Sequence, residues 1–101
     1  MAILERHVQF TIKNEQAYRE WEKSWEDLEA RVGGFPAKRH YWLFSGAEPQ
    51  GTMVWEREWE SLAAMEAAYN QTMGNDEAER LSNNYSALYE GERVEIYFVW
   101  S

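Results

Sequence analysis

A chain of 101 residues is long enough for one domain with a single modest core. Its formal net charge of −8 and the lack of any Lys/Arg cluster argue against nucleic acids and anionic membrane surfaces as partners. The sequence contains no cysteine, which excludes a disulfide framework and a thiol nucleophile.

Charged residues begin at Glu5, so the N-terminus does not resemble a secretory leader, and no apolar run approaches the ~20 residues of a membrane span. We therefore expect a soluble, cytoplasmic protein that binds neither nucleic acid nor membrane. Aromatic residues make up 16% of the chain and six of them are Trp, so we expect some rings to line a pocket or an interface. A Trp-rich core is the alternative.

Residues 3–12 predict a strand because their side chains alternate between two faces. Arg6 interrupts one face, which is otherwise apolar and carries Leu4, Val8, Phe10 and Ile12. The other face is mixed and carries Ile3, Glu5, His7, Gln9 and Thr11.

Residues 15–32 predict a helix, capped by Asn14 and ended by Gly33 and Gly34. Its apolar stripe recurs every three or four residues and comprises Tyr18, Trp21, Trp25, Leu28 and Val32. We expect its charged side chains to form a solvated face made of Glu20, Glu22, Lys23, Glu26, Asp27 and Glu29.

Two further strands are predicted over 38–45 and 52–59, joined by a loop over 46–51. The later of the two strands places four large side chains on one face, namely Met53, Trp55, Arg57 and Trp59.

A second helix is predicted over 61–73 with Ser61 as its cap, and a short third helix from Asp76. A last strand is predicted over 92–100, after Gly91, and carries apolar side chains on both faces, which suggests burial on both sides.

The order β-α-β-β-α-(α)-β predicts an α+β, ferredoxin-like βαββαβ fold with a four-stranded antiparallel sheet and helices on one face. The whole chain, 1–101, then forms a single domain. Such a sheet leaves one face open, and we expect a homodimer in which two sheet faces meet around a two-fold axis. A monomer with a partly apolar sheet is the alternative.

The segment 52–65, in which a strand ends on Trp-Glu-Ser and a helix follows at once, resembles the third-strand-to-helix segment of the dimeric α/β-barrel superfamily. That superfamily includes antibiotic-biosynthesis monooxygenases, haem-degrading monooxygenases and NIPSNAP-like proteins. Gly34-Phe35, before the second strand, is similar to another of its recurring elements. The resemblance implies a dimeric α/β barrel.

The resemblance also implies roles for four positions. Trp59 falls where many monooxygenase relatives place a pocket-lining Trp. His7 falls near a pocket Asn of the haem-degrading relatives, and Tyr69 falls where those relatives carry a haem-ligating His. Met65 falls near a functional Tyr of an antibiotic-type relative. At three of these four positions, the residue type therefore differs from that of the relatives.

These positions predict a mainly aromatic pocket between sheet and helices, suited to a flat, partly polar small molecule. Its walls are expected to be Gln9, Trp55, Trp59, Met65 and Tyr69.

Within this pocket, His7 is the candidate general base and Arg57 the candidate holder of a carboxylate or enolate-like oxygen. The alternatives are that His7 is an ordinary strand histidine and that Arg57 pairs with Glu5 or Glu58. In the alternative interpretation, Trp55, Trp59 and Tyr69 are core residues. His40 is expected to be a surface residue.

With two His and no Cys, no metal or other cofactor is expected. Three functions remain open: small-molecule binding, a cofactor-independent monooxygenase or isomerase acting on an aromatic molecule, and haem binding.

Overall fold

The computed structural model describes residues 1–100. It contains four strands, β1 (Ile3–Ile12), β2 (Arg39–Trp42), β3 (Met53–Trp59) and β4 (Tyr89–Phe98). Three helices accompany them, α1 (Glu15–Val32), α2 (Leu62–Asn70) and α3 (Asp76–Asn83), with a 3-10 turn over Tyr85–Ala87. Within the described residues, no helix combines the length and the apolar character needed to cross a membrane.

All four strands belong to one antiparallel sheet with the order β2-β3-β1-β4. The predicted ferredoxin-like α+β fold is therefore confirmed. On the central strand β1, Glu5 lies opposite Arg57 of β3 and His7 lies opposite Trp55. This register puts Glu5, His7 and Arg57 on the face that α1 and α2 cover.

Local signals set the bounds of α1. The Asn14 side chain accepts a hydrogen bond from the Ala17 amide at 2.9 Å, and Gly33 ends the helix at φ +86° with its N–H donating to the Glu29 carbonyl. Both ends agree with the predicted bounds. Ser61 caps α2 as predicted, but regular helix ends at Asn70 and turns follow.

Two small cores form between the sheet and the helices. Tyr18, Met53, Leu88 and Tyr89 make one, with Ile12 packed against it. Ile3, Trp59 and Ala68 make the other, at the opposite end of β1. On this face of β1, Glu5, His7 and Gln9 lie between the two ends, so a polar region separates the two apolar cores.

Several predicted bounds are wrong. The second strand stops at Trp42 instead of residue 45. The last strand begins at Tyr89, because Gly91 lies within it, opposite Phe10. A Cβ at position 91 would make only an ordinary van der Waals contact with the Phe10 ring, at 3.7 Å, so this position has extended-strand geometry that does not require glycine.

The acidic face of α1 also differs from the prediction. Glu22 and Glu29 are buried, at 5% and 9% exposure, whereas Glu20, Glu26 and Asp27 are exposed as expected. Buried carboxylates require partners, and these come from β2, β3 and the segment before β2.

The chain's own helices do not cover β4 on both faces. Val94, Ile96 and Phe98 share the helix-side face with Glu5 and His7, yet they are 52%, 46% and 69% exposed. The expected burial of this strand on both sides is therefore absent from the single chain.

Candidate functional site

Glu5 is the centre of a buried polar network on the helix-side face of the sheet. Its Oε1 accepts hydrogen bonds from the Trp59 indole N–H at 2.9 Å and from Arg57 Nε at 3.1 Å. Its Oε2 accepts from His7 Nε2 at 2.6 Å and from the Tyr69 hydroxyl. Burial alone would raise the pKa of Glu5, but these donors and the charge of Arg57 lower it to about 2. Glu5 is therefore a fixed negative charge.

His7 lies between two carboxylates. While Nε2 donates to Glu5, Nδ1 donates to Glu92 Oε1 at 2.5 Å, and the ring stacks on Trp55 with centroids 3.8 Å apart. Burial would lower the pKa of His7, but the hydrogen bonds to Glu5 and Glu92 outweigh it and raise this pKa above its usual value. Because both nitrogens face carboxylate oxygens, which only accept, this geometry favours the doubly protonated ring, and neither nitrogen is free to accept a proton as a general base.

Arg57 is similarly occupied by protein partners. Besides Glu5, it donates to both oxygens of Glu29 on α1, at 2.9 and 3.1 Å, and to the Tyr69 hydroxyl at 2.7 Å. Four of its five N–H donors are thus engaged. Burial is the main reason that the pKa of Tyr69 lies above its usual value, so this phenol stays protonated.

A second cluster joins α1 to β2. His40 Nε2 lies 2.8 Å from Glu22 Oε2, and Lys38 Nζ donates to the same oxygen at 3.4 Å. Burial would raise the pKa of Glu22, but His40 and Lys38 lower it. Lys38 also lies over the Trp55 ring, 4.2 Å from its centroid. His40 keeps about a third of its side chain exposed, so it is a surface residue with a buried partner.

One group of side chains has ligand types suited to a metal ion. Glu22, Glu26 and His40 each offer one ligand atom, and these atoms lie within 4.8 Å of one another. Two carboxylates from α1 and an imidazole from β2 thus meet, and α1 itself contains no His. The ammonium of Lys38 lies beside the same Glu22 oxygen that contacts His40, so a cation already balances this carboxylate.

Both clusters contribute side chains to one cavity of about 330 Å³ between the sheet and the helices. Its walls combine aromatic rings with charged and polar groups, and they comprise His7, Gln9, Trp21, Glu22, Trp25, Glu29, Phe35, Lys38, Trp55, Arg57, Tyr69, Thr72, Ser82 and Glu92. This volume falls at the lower end of the range for small-molecule sites.

The structure places five of the seven predicted site residues on this cavity: His7, Gln9, Trp55, Arg57 and Tyr69. Trp59 and Met65 do not line it. Trp59 is 2% exposed and lies beneath the cavity, where its indole holds Glu5 and its ring contacts Phe35 and Tyr69. Met65 packs against the apolar core that contains Ile3 and Trp59.

Sequence reasoning missed several wall residues, chiefly Glu29, Lys38, Trp21, Trp25 and Glu92. A signal was available for the acidic residues of α1. Glu22 follows Tyr18 by four positions and Glu29 follows Trp25 by four, which puts both carboxylates beside the apolar stripe. Acidic residues that border a buried stripe are candidates for ion pairs with the sheet.

Comparison with known proteins identifies the fold. No family model and no curated protein matches the sequence. Solved structures do match: a NIPSNAP-family protein from Agrobacterium tumefaciens has a TM-score of 0.68 at 15% identity, covering 97% of this chain and 92% of that one. A dabb-family protein with a ferredoxin-like fold from Mesorhizobium loti has a TM-score of 0.67 at 12% identity over 100% of both chains. An ethd-family protein from Bacillus halodurans has a TM-score of 0.65 at 12% identity, covering 99% and 100%.

The molecule thus has the ferredoxin-like fold shared by NIPSNAP-like and dabb proteins, with no close subfamily match. At these identities the likeness concerns the fold.

Proposed function

We propose that this protein binds a small, planar, partly polar organic molecule in the cavity between its sheet and its helices, and that it acts as a homodimer. The observation that carries the proposal is the cavity itself. Aromatic rings from α1 and from the segment before β2, namely Trp21, Trp25 and Phe35, face an ion-pair network on the sheet. Flat apolar walls beside a few fixed polar groups suit a planar ligand with polar substituents.

Binding is favoured over proton-transfer chemistry by the state of the two candidate catalytic residues. His7 donates through both nitrogens, and Arg57 has four donors engaged. A monooxygenase or isomerase using His7 as its base would first have to break one of its short hydrogen bonds to a carboxylate. Such a network instead gives a rigid, preorganised wall.

Haem binding is less well supported. Tyr69 occupies the position that the resemblance associates with an iron ligand, but its hydroxyl donates to Glu5 and accepts from Arg57. If this phenol left its partners to bind iron, Glu5 and Arg57 would each lose a hydrogen bond inside a buried network. A Soret-region titration with haemin tests this alternative, and we expect no saturable spectral change at micromolar protein.

The homodimer proposal rests on both edges of the sheet. Edge strand β4 and the residues after it expose Phe98 and Trp100, at 69% and 97%. At the opposite edge, Trp42 of β2 and Phe44 are 40% and 94% exposed. Exposed aromatic side chains on open strand edges are a liability in a monomer, and a second copy packed on the sheet would cover them.

Ligand binding can be tested with planar aromatic probes. We expect 2-acetylnaphthalene to quench the tryptophan fluorescence saturably, with one site per chain. Trp25→Ala removes an aromatic wall and should weaken binding about tenfold, which corresponds to ~1.4 kcal/mol. Tyr85→Ala, a change outside the cavity walls, is the matched control and should not alter it. Equal affinity in wild type and Trp25→Ala would contradict the proposed location.

The dimer can be tested by sedimentation equilibrium. The expected mass is twice the chain mass of 12.0 kDa. Phe98→Asp puts a charge on the exposed edge and should shift the protein toward the monomer, whereas Glu20→Gln on the exposed side of α1 should not. A single-chain mass for the wild type at tens of micromolar protein would refute the homodimer.

A further inference from the structure

A row of alternating charges crosses the open face of the sheet. Arg6 of β1 lies opposite Glu56 of β3 on one side and opposite Glu95 of β4 on the other, and Glu56 in turn lies opposite Arg39 of β2. Successive side chains of a strand point to opposite faces, so Arg6 lies on the face away from Glu5 and the helices. In the order β2-β3-β1-β4, this charge row therefore reads plus, minus, plus, minus.

The charge row is accessible and only loosely paired within the chain. Arg6 lies 3.8 Å from Glu56 through Nε and 3.7 Å from Glu95 through Nη1, which are ion-pair distances but too long for hydrogen bonds. The side chains of these three residues are 38%, 26% and 28% exposed, and Arg39 is exposed on edge strand β2. Ion pairs of this kind contribute little to the stability of one chain, so the charge row can still bind a partner.

The charge row is complementary to itself under one two-fold symmetry. Consider an axis that lies between two facing sheets, parallel to the strands and over the middle of each sheet. This axis reverses the strand order of the second copy, so that β2 faces the partner's β4 and β1 faces the partner's β3. Every charge then meets the opposite sign, because Arg6 faces the partner's Glu56 and Arg39 faces the partner's Glu95.

The other in-plane axis, perpendicular to the strands, gives the opposite result. It places each strand over its own copy, so that Arg6 would face the partner's Arg6 and Glu56 the partner's Glu56. Like charges in direct contact are strongly unfavourable. Each chain also carries a net charge of −8, and opposite charges at the contact offset the long-range repulsion between two copies. The charge row thus favours one arrangement of a second copy over the other.

We propose that the open sheet face binds a second copy of this chain with the two-fold axis parallel to the strands, and that the charge row sets this register. The inference rests on the homodimer of the proposed function, since it names the contacts that hold that dimer. The two central contacts join Arg6 to the partner's Glu56. Tyr41 and Tyr97 lie on the same face and are each 43% exposed, and the second copy covers this surface as well.

Charge reversals carried by separate chains test the charge row, because they distinguish contacts between chains from contacts within one. Arg6→Glu and Glu56→Arg each make both central contacts repulsive. Either variant alone should therefore dimerise at least about 100-fold more weakly than wild type. An equimolar mixture of the two should form a heterodimer, in which both central contacts again join opposite charges although the mismatches within each chain remain.

Sedimentation equilibrium measures the mass, which should be about twice the chain mass of 12.0 kDa for wild type and for the mixture. Native mass spectrometry should show one chain of each variant in the dimers of the mixture. Arg19→Glu and Glu15→Arg make the same charge changes on the exposed side of α1 and are the matched controls, which should dimerise like wild type. Should a central variant fail to fold, as judged by its melting curve, Arg39→Glu and Glu95→Arg provide the same test at the outer contacts.

The outcomes separate this inference from the proposed function. Single variants that dimerise as tightly as wild type would overturn the role of the charge row and leave the homodimer standing. Folded variants whose mixture stays monomeric would also overturn it, because the effect would then lie within each chain. A single-chain mass for wild type would refute the homodimer, and the charge row with it. Quenching by 2-acetylnaphthalene reports on the cavity separately.

Discussion

Arg57 and Glu29 join the sheet to the first helix through two parallel hydrogen bonds, from Nη1 at 2.9 Å and Nη2 at 3.1 Å. The two residues lie 28 positions apart, one on β3 and the other on α1. A planar guanidinium matches a carboxylate in this two-point geometry, which an ammonium cannot reproduce.

Arg57→Lys should therefore destabilise the protein by about 3 kcal/mol, since it leaves Glu5 and Glu29 buried with an incomplete partner. Urea unfolding followed by tryptophan fluorescence measures this change. Arg19→Lys changes an exposed pair on α1, whose side chains are 63% and 59% exposed, and should alter the stability by less than about 0.5 kcal/mol. Similar losses in the two variants would contradict the buried network.

The raised pKa of His7 predicts a loss of stability as the pH rises above the usual histidine pKa, near 6.5. A group whose pKa is higher in the folded state stabilises that state fully below its unfolded pKa, near 6.5, and this contribution is lost as the pH rises through the folded pKa. The charged groups that face the ring are Glu5 and Glu92, and both stay ionised over this range.

The melting temperature of wild type should consequently fall as the pH rises from about 6.5 into the alkaline range, while that of His7→Gln, which does not titrate, should be flatter. Differential scanning calorimetry across this range compares the two. Parallel profiles would show that the folded and unfolded states hold the His7 proton equally well.

Glu5 predicts the opposite dependence in acid. Its pKa is about 2 in the folded protein and near 4.5 ordinarily, so its stabilising contribution is present above pH 4.5 and is lost as the pH falls toward 2. Glu5→Gln should remove this part of the acid sensitivity and cost about 3 kcal/mol at pH 7. Glu58→Gln, on the exposed side of β3, serves as the control, and acid denaturation midpoints measure both. An unchanged midpoint in Glu5→Gln would refute the assignment.

Thr11 has φ +57°, the one positive φ among the non-glycine residues described. A β-branched residue is unfavourable in this region, whereas Asn tolerates it better. We expect Thr11→Asn to stabilise the protein by about 0.5–1 kcal/mol in urea unfolding. Thr11→Val, which keeps the β-branch, should bring no such gain, and equal effects of the two substitutions would argue against local strain.

Local signals in the sequence predicted the elements whose determinants are local. The bounds of β1 and α1 agree with the prediction because alternation, the Asn14 cap and the Gly33 end all lie within or next to the element. The misplaced start of β4 has a non-local cause, since Gly91 pairs with Phe10 of β1, a strand more than 80 positions earlier in the sequence.

The same distinction explains the candidate site. The helix-side face of β1 and β3 was predictable, because a period of two assigns His7, Gln9, Trp55 and Arg57 to it once the register is guessed. The partners that saturate these residues were not predictable, because Glu29, Lys38 and Glu92 come from separate segments. Trp59, the residue most suggestive of the fold, supports the site from beneath by holding Glu5.

The arrangement around Trp55 has an optical consequence. A protonated imidazole stacks on its indole at 3.8 Å and an ammonium lies over it at 4.2 Å, so this chromophore is held between two cations. Protonated histidine in contact with an indole quenches its emission. Trp55 should therefore emit weakly while His7 is protonated and more strongly as the pH rises and His7 loses its proton, so its fluorescence reports the charge state of the cavity.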